Sequence, residues 1–165
     1  MTKLQNMRLI EIPPFRAVSS GLKTFDEIFS SGGFNDWCGV NDHLIKDLIY
    51  AAPDFMWHED GKSVWIWAVN DDVTKADTAP YEIITFEGGM YLVATADEND
   101  RADLKETVDG MVKWIEDSGV FEDDNRPGHR GMCHMPNGNG ALDKALGVAQ
   151  QEIFLPIKIK SQKSA

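Results

Sequence analysis

The sequence is poor in basic residues and has no long apolar run, and each shortage argues against a class of protein. Its 165 residues include 16 Lys and Arg against 27 Asp and Glu, a formal net charge of −11. A surface of this charge repels a phosphate backbone, so we expect no direct nucleic-acid partner. No stretch reaches the roughly 20 apolar residues needed to span a bilayer. The N-terminal segment also lacks the apolar core of a signal peptide, so we expect no membrane association.

Cysteine and histidine are too scattered to predict a metal site. Cys38 and Cys133 match no metal or redox spacing, and we interpret them as free thiols of a reducing compartment, which predicts a cytoplasmic protein. His134 follows Cys133 directly, so on a strand the two point to opposite faces. The remaining histidines have no partner at ligand spacing: His43, His58 and His129. There is no phosphate loop, dinucleotide fingerprint or Gly-x-Ser-x-Gly elbow. We therefore expect no metal and no cofactor.

The first half of the chain predicts a strand followed by helices. Residues 8–18 read as a strand that Pro13-Pro14 confines to a sheet edge or a bulge. Thr24 and Glu27 have the spacing of a capping box, so a short helix, a turn and a second helix are predicted over residues 24–50. A β-hairpin is predicted next, because Asp-Gly separates two apolar runs.

The second half predicts a similar order of elements. Residues 81–94 read as an extended segment broken by Gly88-Gly89, after a polar linker at 70–80. Residues 100–117 carry apolar side chains at helical spacing and predict the clearest helix of the chain. Two further strands are predicted at residues 130–135 and 150–159.

The two halves share one order, strand, helix, strand, strand, which predicts an α+β fold. Such a duplication packs most simply as an antiparallel sheet with helices on one face, while the other face meets solvent or a ligand. We expect one domain over residues 1–165, with module one at about 5–70 and module two at about 80–160.

Two tryptophans, Trp65 and Trp67, stand two positions apart in SVWIWAV (residues 63–69), so they share one face of the predicted strand. The opposite face carries smaller side chains suited to packing under helices: Val64, Ile66 and Ala68. We therefore expect the tryptophans on the helix-free face, joined by Trp57 from the partner strand of the hairpin. Such an aromatic surface stacks on planar ligands and attracts cations. Core packing is the alternative interpretation.

Three segments carry a resemblance to a known family. LIEIPPFRAVSSG near the start, KWIEDSGVFEDDNRPGHRGMCH at 113–134 and QEIFLPIK at 151–158 resemble the GyrI-like small-molecule-binding domain. That domain is also the effector-binding half of some AraC- and MerR-type regulators. No helix-turn-helix precedes the domain here, so direct gene regulation is not expected. The stretch at residues 30–43 has no obvious counterpart in the shorter regulator domains.

The resemblance implies a specific fold and site. It implies two fused strand-helix-strand-strand modules about a pseudo-two-fold axis, with a ligand groove between them. Ligands of that family are often flat, aromatic and cationic, and an acidic residue in the groove commonly meets the charge. Some standalone members resemble hydrolases that open the cyclopropane ring of flat DNA-alkylating natural products, using an aromatic cage.

Glu152 is the leading candidate for the site. In QEIFLPIK, Ile153 and its alternate neighbours form one face of a strand, while Glu152 and Phe154 share the other. In a pocket, burial would raise the pKa of this carboxyl unless a cation is bound, and the same geometry would let it act as a general base towards water. A solvated glutamate at a strand edge is the alternative.

Three further aromatic residues are candidates. Trp37 falls in a glycine-bounded loop, where it is expected to cover the groove or to hold the loop down. Tyr91 follows Gly88-Gly89, and its hydroxyl is suited to orient a ligand carbonyl or a water molecule. Tyr81 lies in the same extended segment. For both tyrosines an ordinary strand position is the alternative.

Three functions follow from these observations. The first is a standalone binder of flat, hydrophobic and in some cases cationic small molecules, such as drugs or xenobiotics. The second is a hydrolase in the same groove, with Glu152 and Tyr91 as catalytic residues. The third is an acidic protein-interaction inhibitor of a DNA-handling enzyme, whose surface imitates DNA.

Overall fold

The computed structural model describes residues 6–47, 53–137 and 140–161. In chain order its strands are β1 (Arg8–Ile12), β2 (Phe15–Ser19), β3 (Asp54–Glu59), β4 (Lys62–Ala68), β5 (Glu82–Phe86), β6 (Gly89–Asp97), β7 (Phe121–Asp123), β8 (Met132–His134) and β9 (Gln150–Ile159). Its α-helices are α1 (Phe25–Phe29), α2 (Phe34–Val40), α3 (Lys75–Thr78), α4 (Arg101–Asp117) and α5 (Ala141–Leu146), and a 3-10 helix covers Asp42–Leu44.

The chain divides into two compact units. One consists of Met1–Pro13 together with Glu87–Ala165 and is called the terminal unit below; the other is Pro14–Phe86 and is called the central unit. Each contains antiparallel strands and helices, which confirms the predicted α+β class.

The central unit is a four-stranded antiparallel sheet in the order β3-β4-β2-β5. The predicted hairpin forms β3 and β4, and Asp60 and Gly61 both take positive φ at its turn. The predicted capping box begins α1, because the Glu27 amide donates to Thr24 Oγ1 at 3.2 Å while the Glu27 carboxylate accepts from the Thr24 amide. Val18 on the sheet and Ile28 on α1 belong to one buried cluster, so the helices cover the Val18 face.

The terminal unit is an antiparallel sheet in the order β1-β6-β9-β8, with β7 also paired to β9. The predicted long helix is α4, and its N-cap Asp100 accepts hydrogen bonds from the Ala102 and Asp103 amides. Its apolar stripe buries Met111 and Ile115 against one face of β6 and β9. Burial of each such side chain stabilises the fold by about 1.5–3 kcal/mol. These contacts hold α4 on one face of the sheet, and the opposite face of β6 and β9 is free of α4.

Residues 34–40 differ from the sequence prediction, because they form α2 where a loop was expected. Phe34 and Cys38, four positions apart, are both buried on one side of this helix, which explains why it forms despite its glycine. Gly33 allows the entry turn, since a Cβ there would lie 2.7 Å from the Ile28 carbonyl oxygen. The short helix, turn and second helix predicted over residues 24–50 are thus two short α-helices and a 3-10 turn, and the last residues of this range lie outside the described ones.

Three short elements were not predicted. Helix α3 begins at Thr74, whose amide and hydroxyl both donate to the Asp77 carboxylate, at 2.8 and 2.6 Å. Its segment was expected to be a polar linker. Strand β7 and helix α5 are likewise only three and six residues long, too short to show a period in the sequence.

Candidate functional site

Trp65 and Trp67 lie on the helix-covered face of the central unit, so the expectation that they occupy the helix-free face is wrong. The register pairs Trp67 with Val18, and both tryptophans pack against the buried cluster beneath α1 and α2. Trp65 stacks on Phe29 of α1 at 5.1 Å between ring centroids. Helices α1 and α2 present aromatic side chains to the sheet, and these pack well against tryptophans. The size of the side chains on each face of the strand therefore did not determine which face the helices cover.

Trp57 does not share a surface with these two tryptophans. The register pairs Trp57 with Val64, and directly paired residues point to the same face of a sheet. Trp57 therefore lies on the opposite face, with Ile66 and Ala68. The hairpin was predicted correctly. A surface shared by the three tryptophans would need Trp57 to pair with a residue on the Trp65 and Trp67 face, but the two-residue turn sets a register one position away from that.

Trp37 and Tyr81 belong to one aromatic cluster around α2. The Trp37 ring lies parallel to Phe34 at 5.9 Å and edge-on to Tyr81 at 5.3 Å. Burial raises the pKa of Tyr81, and Cys38 contributes in the same direction. Both side chains are half-buried, which fits packing that holds the helix against the sheet.

Glu152 lies where the sequence predicted, on the face of β9 away from α4. Its neighbour Ile153 packs into the cluster with α4, so Glu152 and Phe154 project from the other side. The carboxylate is only 8% exposed, which excludes the solvated strand edge. Its Oε1 forms an ion pair with Arg8 of β1, and its Oε2 lies 2.8 Å from His134 Nδ1.

The partners of Glu152 keep it ionised. Burial alone would raise the pKa of this carboxyl, but hydrogen bonds from His134 and Arg8, together with the Arg8 charge, outweigh burial and lower the pKa below its usual 4.5. From the sequence, burial predicts a raised pKa for Glu152 in the absence of a bound cation. The protein instead supplies the cation itself, from an arginine 144 positions away in sequence.

Tyr91 and Phe154 extend this face along β6 and β9. Tyr91 pairs with Pro156 and Val93 with Phe154, so Tyr91, Phe154 and Glu152 lie on one side of the sheet. The Tyr91 and Phe154 rings meet edge to face at 5.8 Å. Tyr91 is fully buried, and its hydroxyl has no hydrogen-bond partner among the described residues. Burial raises the pKa of Tyr91, so the hydroxyl keeps its proton.

We call these residues the terminal-unit face: Arg8, Tyr91, His134, Glu152 and Phe154. Three of the five are candidates from the sequence: Tyr91, Glu152 and Phe154. Arg8 and His134 are not, because residues 144 and 18 positions from Glu152 form no local pattern with it. Only the register of β8 against β9, which pairs His134 with Glu152, brings the imidazole to the carboxylate.

The described part of the chain contains neither a metal-ligand cluster nor a membrane-spanning helix. Among residues 6–47, 53–137 and 140–161, no three His, Cys, Asp or Glu side chains are grouped as a metal ion would require. Within the same residues, no helix combines the length and apolarity needed to cross a membrane.

The fold is similar to several solved structures. One is SAV2435 bound to tetraphenylphosphonium, with 18% identity over 93% of this chain and 94% of that chain and a TM-score of 0.53. The C-terminal domain of EcmrR shares 16% identity over 93% and 97%, with a TM-score of 0.62. A hydrolase from Listeria innocua shares 12% identity over 92% and 91%, with a TM-score of 0.68.

These similarities define the class of fold. At such identities they show the fold alone, and it is consistent with the GyrI-like fold that the sequence motifs predicted. No protein-family model matches the chain, and no curated protein sequence matches it.

Proposed function

We propose that this protein binds hydrophobic, flat aromatic small molecules, cationic ones in particular, on the terminal-unit face. The observation that carries the proposal is Glu152, a buried carboxylate held in its charged form on the same face of the sheet as Phe154 and Tyr91. A buried charge that shares a face with aromatic rings is suited to an aromatic cation, which offers apolar surface and positive charge together. The complex of SAV2435, whose fold is similar, contains such an aromatic cation.

The Arg8 side chain determines how a cation would enter. It already neutralises Glu152, but it is 36% exposed, and a long side chain on a strand can swing towards solvent. A cationic ligand would take its place beside the carboxylate, whereas a neutral ligand would stack on the aromatic rings with the Arg8–Glu152 pair intact.

Two ions of nearly equal shape and opposite charge test this proposal: tetraphenylphosphonium and tetraphenylborate, each titrated calorimetrically into the pure protein. Selective binding of the phosphonium, lost in Glu152→Gln, supports the proposal. Equal binding of both ions would show non-specific hydrophobic association. Ethidium, a planar cation, then tests the preference for flat ligands.

Hydrolysis on the same face is the second candidate, and the Glu152–His134 contact favours it. A carboxylate that accepts from an imidazole orients that ring for proton transfer. In a cyclopropane conjugated to a carbonyl, water would form the new C–O bond as the strained C–C bond breaks. The electron pair would move into the conjugated carbonyl, which takes up a proton, while the imidazole accepts the proton of water. Mass spectrometry of such a compound incubated with the protein tests this, with a gain of one water lost in Glu152→Gln.

A further inference from the structure

A second polar cluster lies in the terminal unit, in the loop between β7 and β8. His129 Nδ1 lies 2.7 Å from Asp124 Oδ2, and Arg126 Nε lies 3.1 Å from the same oxygen. Arg126 also donates to the Gly88 carbonyl at 3.0 Å, which ties the loop to the start of β6. His129 is only 3% exposed. No local sequence pattern predicts this cluster, because five positions separate His129 and Asp124 in an irregular loop.

His129 contacts Tyr91 of the terminal-unit face. The two rings meet edge to face, with centroids 4.6 Å apart. Among the described residues, neither His129 Nε2 nor the Tyr91 hydroxyl has a hydrogen-bond partner, although both atoms are buried. Leaving a buried polar atom unpaired costs about 1–3 kcal/mol. Two such atoms on rings in contact therefore indicate a place for a polar group of a ligand.

The hydrogen bonds of the cluster define what that group must be. Burial would raise the pKa of Asp124, but the hydrogen bond from His129 and the Arg126 charge hold it below its usual value, so Asp124 is ionised. An ionised Asp124 accepts from Nδ1–H, and in the Nδ1–H tautomer Nε2 is the acceptor of the ring. The Tyr91 hydroxyl keeps its proton and can donate. A hydroxyl group satisfies both atoms, since it donates one hydrogen bond and accepts others.

Gly89 explains how the imidazole comes this close to β6. A Cβ at this position would lie 2.6 Å from His129 Nε2, and the residue has φ of 141°, which side chains rarely allow. The backbone of β6 thus approaches the imidazole only because position 89 is glycine. The position of Nε2 is therefore determined by its packing against β6.

We propose that His129 Nε2 and the Tyr91 hydroxyl bind a hydroxyl group of the ligand, so that the protein selects aromatic compounds carrying a phenol or an alcohol. This inference rests on the proposed function and adds the ligand class. The aromatic body of the ligand lies along Phe154, and its hydroxyl end reaches Tyr91 and His129. A ligand without the hydroxyl gains the stacking but leaves both buried atoms unpaired.

Three β-carbolines that differ at one substituent test the inference: harmol, which carries the hydroxyl, harmine, its methyl ether, and harmane, which has hydrogen there. All three are planar and can be protonated. Two new hydrogen bonds predict that harmol binds about 10- to 100-fold tighter than harmane or harmine. Harmane controls for the bulk of the methyl ether. Affinities are measured by calorimetry at one pH and salt concentration.

Two variants show whether the preference arises at this site. Tyr91→Phe removes only the hydroxyl, and His129→Asn keeps an N–H donor for Asp124 while removing Nε2. Each should reduce the preference for harmol over harmane about tenfold or more. The 15N shift of His129 Nε2 should also move when harmol binds to the wild-type protein, and not when harmane binds.

The possible outcomes distinguish failure of the hydroxyl inference from failure of the proposed function. Equal binding of the three compounds would overturn the hydroxyl inference and leave the proposed function standing. A harmol preference that persists in both variants would also overturn it, since the hydroxyl would then bind elsewhere. If none of the three compounds binds, and tetraphenylphosphonium and ethidium do not bind either, the proposed function fails and the inference with it.

Discussion

Glu152 of β9 and His134 of β8 face each other across paired strands, with Oε2 and Nδ1 2.8 Å apart. Arg8 reaches the other carboxylate oxygen from β1. One buried carboxylate thus joins strands from both ends of the chain. This arrangement makes Glu152 a structural residue as well as a candidate for ligand binding. Both the ligand affinity and the free energy of unfolding must therefore be measured for its variants.

Glu152→Gln should weaken cation binding more than it weakens the protein. The amide keeps the size of the side chain but loses the charge, so affinity for tetraphenylphosphonium should fall about tenfold or more, with stability lower by about 1–3 kcal/mol. Glu122→Gln is the matched control, because Glu122 is an exposed carboxylate of the same unit, 3.6 Å from Lys158. Calorimetry and urea denaturation measure the two effects. Similar losses in both variants would contradict a specific role for Glu152.

The ionisation of Glu152 should make stability depend on pH. Its pKa in the folded protein is lower than the usual 4.5. The stabilisation that the charged carboxylate provides is therefore fully present above pH 4.5 and is lost as the pH falls through the pKa of the folded protein. The difference in unfolding free energy between wild type and Glu152→Gln should therefore shrink between about pH 7 and about pH 3. A difference that grows on acidification would contradict the sign of the shift.

Arg8→Gln should strengthen binding of cations. Removing the guanidinium leaves His134 as the partner of Glu152 among the described residues, so an aromatic cation no longer competes with the Arg8 charge. The affinity for tetraphenylphosphonium should therefore rise several-fold. Lys158→Gln removes the same charge from the same unit and serves as control. If Arg8→Gln weakens cation binding, then Arg8 supports the site and does not compete with the ligand.

Tyr91→Phe should leave stability unchanged or raise it by up to about 1 kcal/mol. The reason is that the buried hydroxyl has no partner among the described residues, and its removal relieves an unpaired polar group. Tyr81→Phe, at a half-buried tyrosine of the central unit, provides the comparison. Urea denaturation is the measurement. A loss of more than about 1 kcal/mol would mean that the Tyr91 hydroxyl is hydrogen-bonded in solution.

Gly89→Ala should destabilise the protein and displace His129. Its positive φ strains any side chain, and the added Cβ meets the imidazole and Arg126, so a loss of about 1–3 kcal/mol is expected. Gly61→Ala is the control, because Gly61 also has positive φ but nothing within 4 Å of the added Cβ. A greater loss at position 89, with a changed His129 NMR signal, would confirm the crowding. Equal losses of stability in the two variants would mean that backbone strain alone, and not crowding of His129, destabilises Gly89→Ala.

Local patterns predicted the fold class, the hairpin, the long helix and the last strand. The capping box at Thr24 and the apolar stripe of α4 are signals between neighbouring turns, and the sequence displays them directly. The alternation in QEIFLPIK likewise predicted that Glu152 and Phe154 share a face. These features depend on residues close together in the chain.

The face of the tryptophans and the partners of Glu152 could not be predicted in this way. Trp65 and Trp67 were assigned to the helix-free face because smaller residues alternate with them, but Phe29 and Phe34 provide an aromatic surface that accommodates their size. Register and long-range pairing decide such questions. Arg8 and His134 reach Glu152 only through the pairing of β1, β6, β9 and β8.

The most direct test of the account is an NMR titration of the 15N-labelled protein with ethidium, following backbone amides. If the terminal-unit face binds the cation, the largest shift changes will be those of β6 and β9 around Tyr91, Phe154 and Glu152, and Glu152→Gln will reduce them. Changes concentrated around Trp65 and Trp67 instead, or no changes at all, would contradict the account.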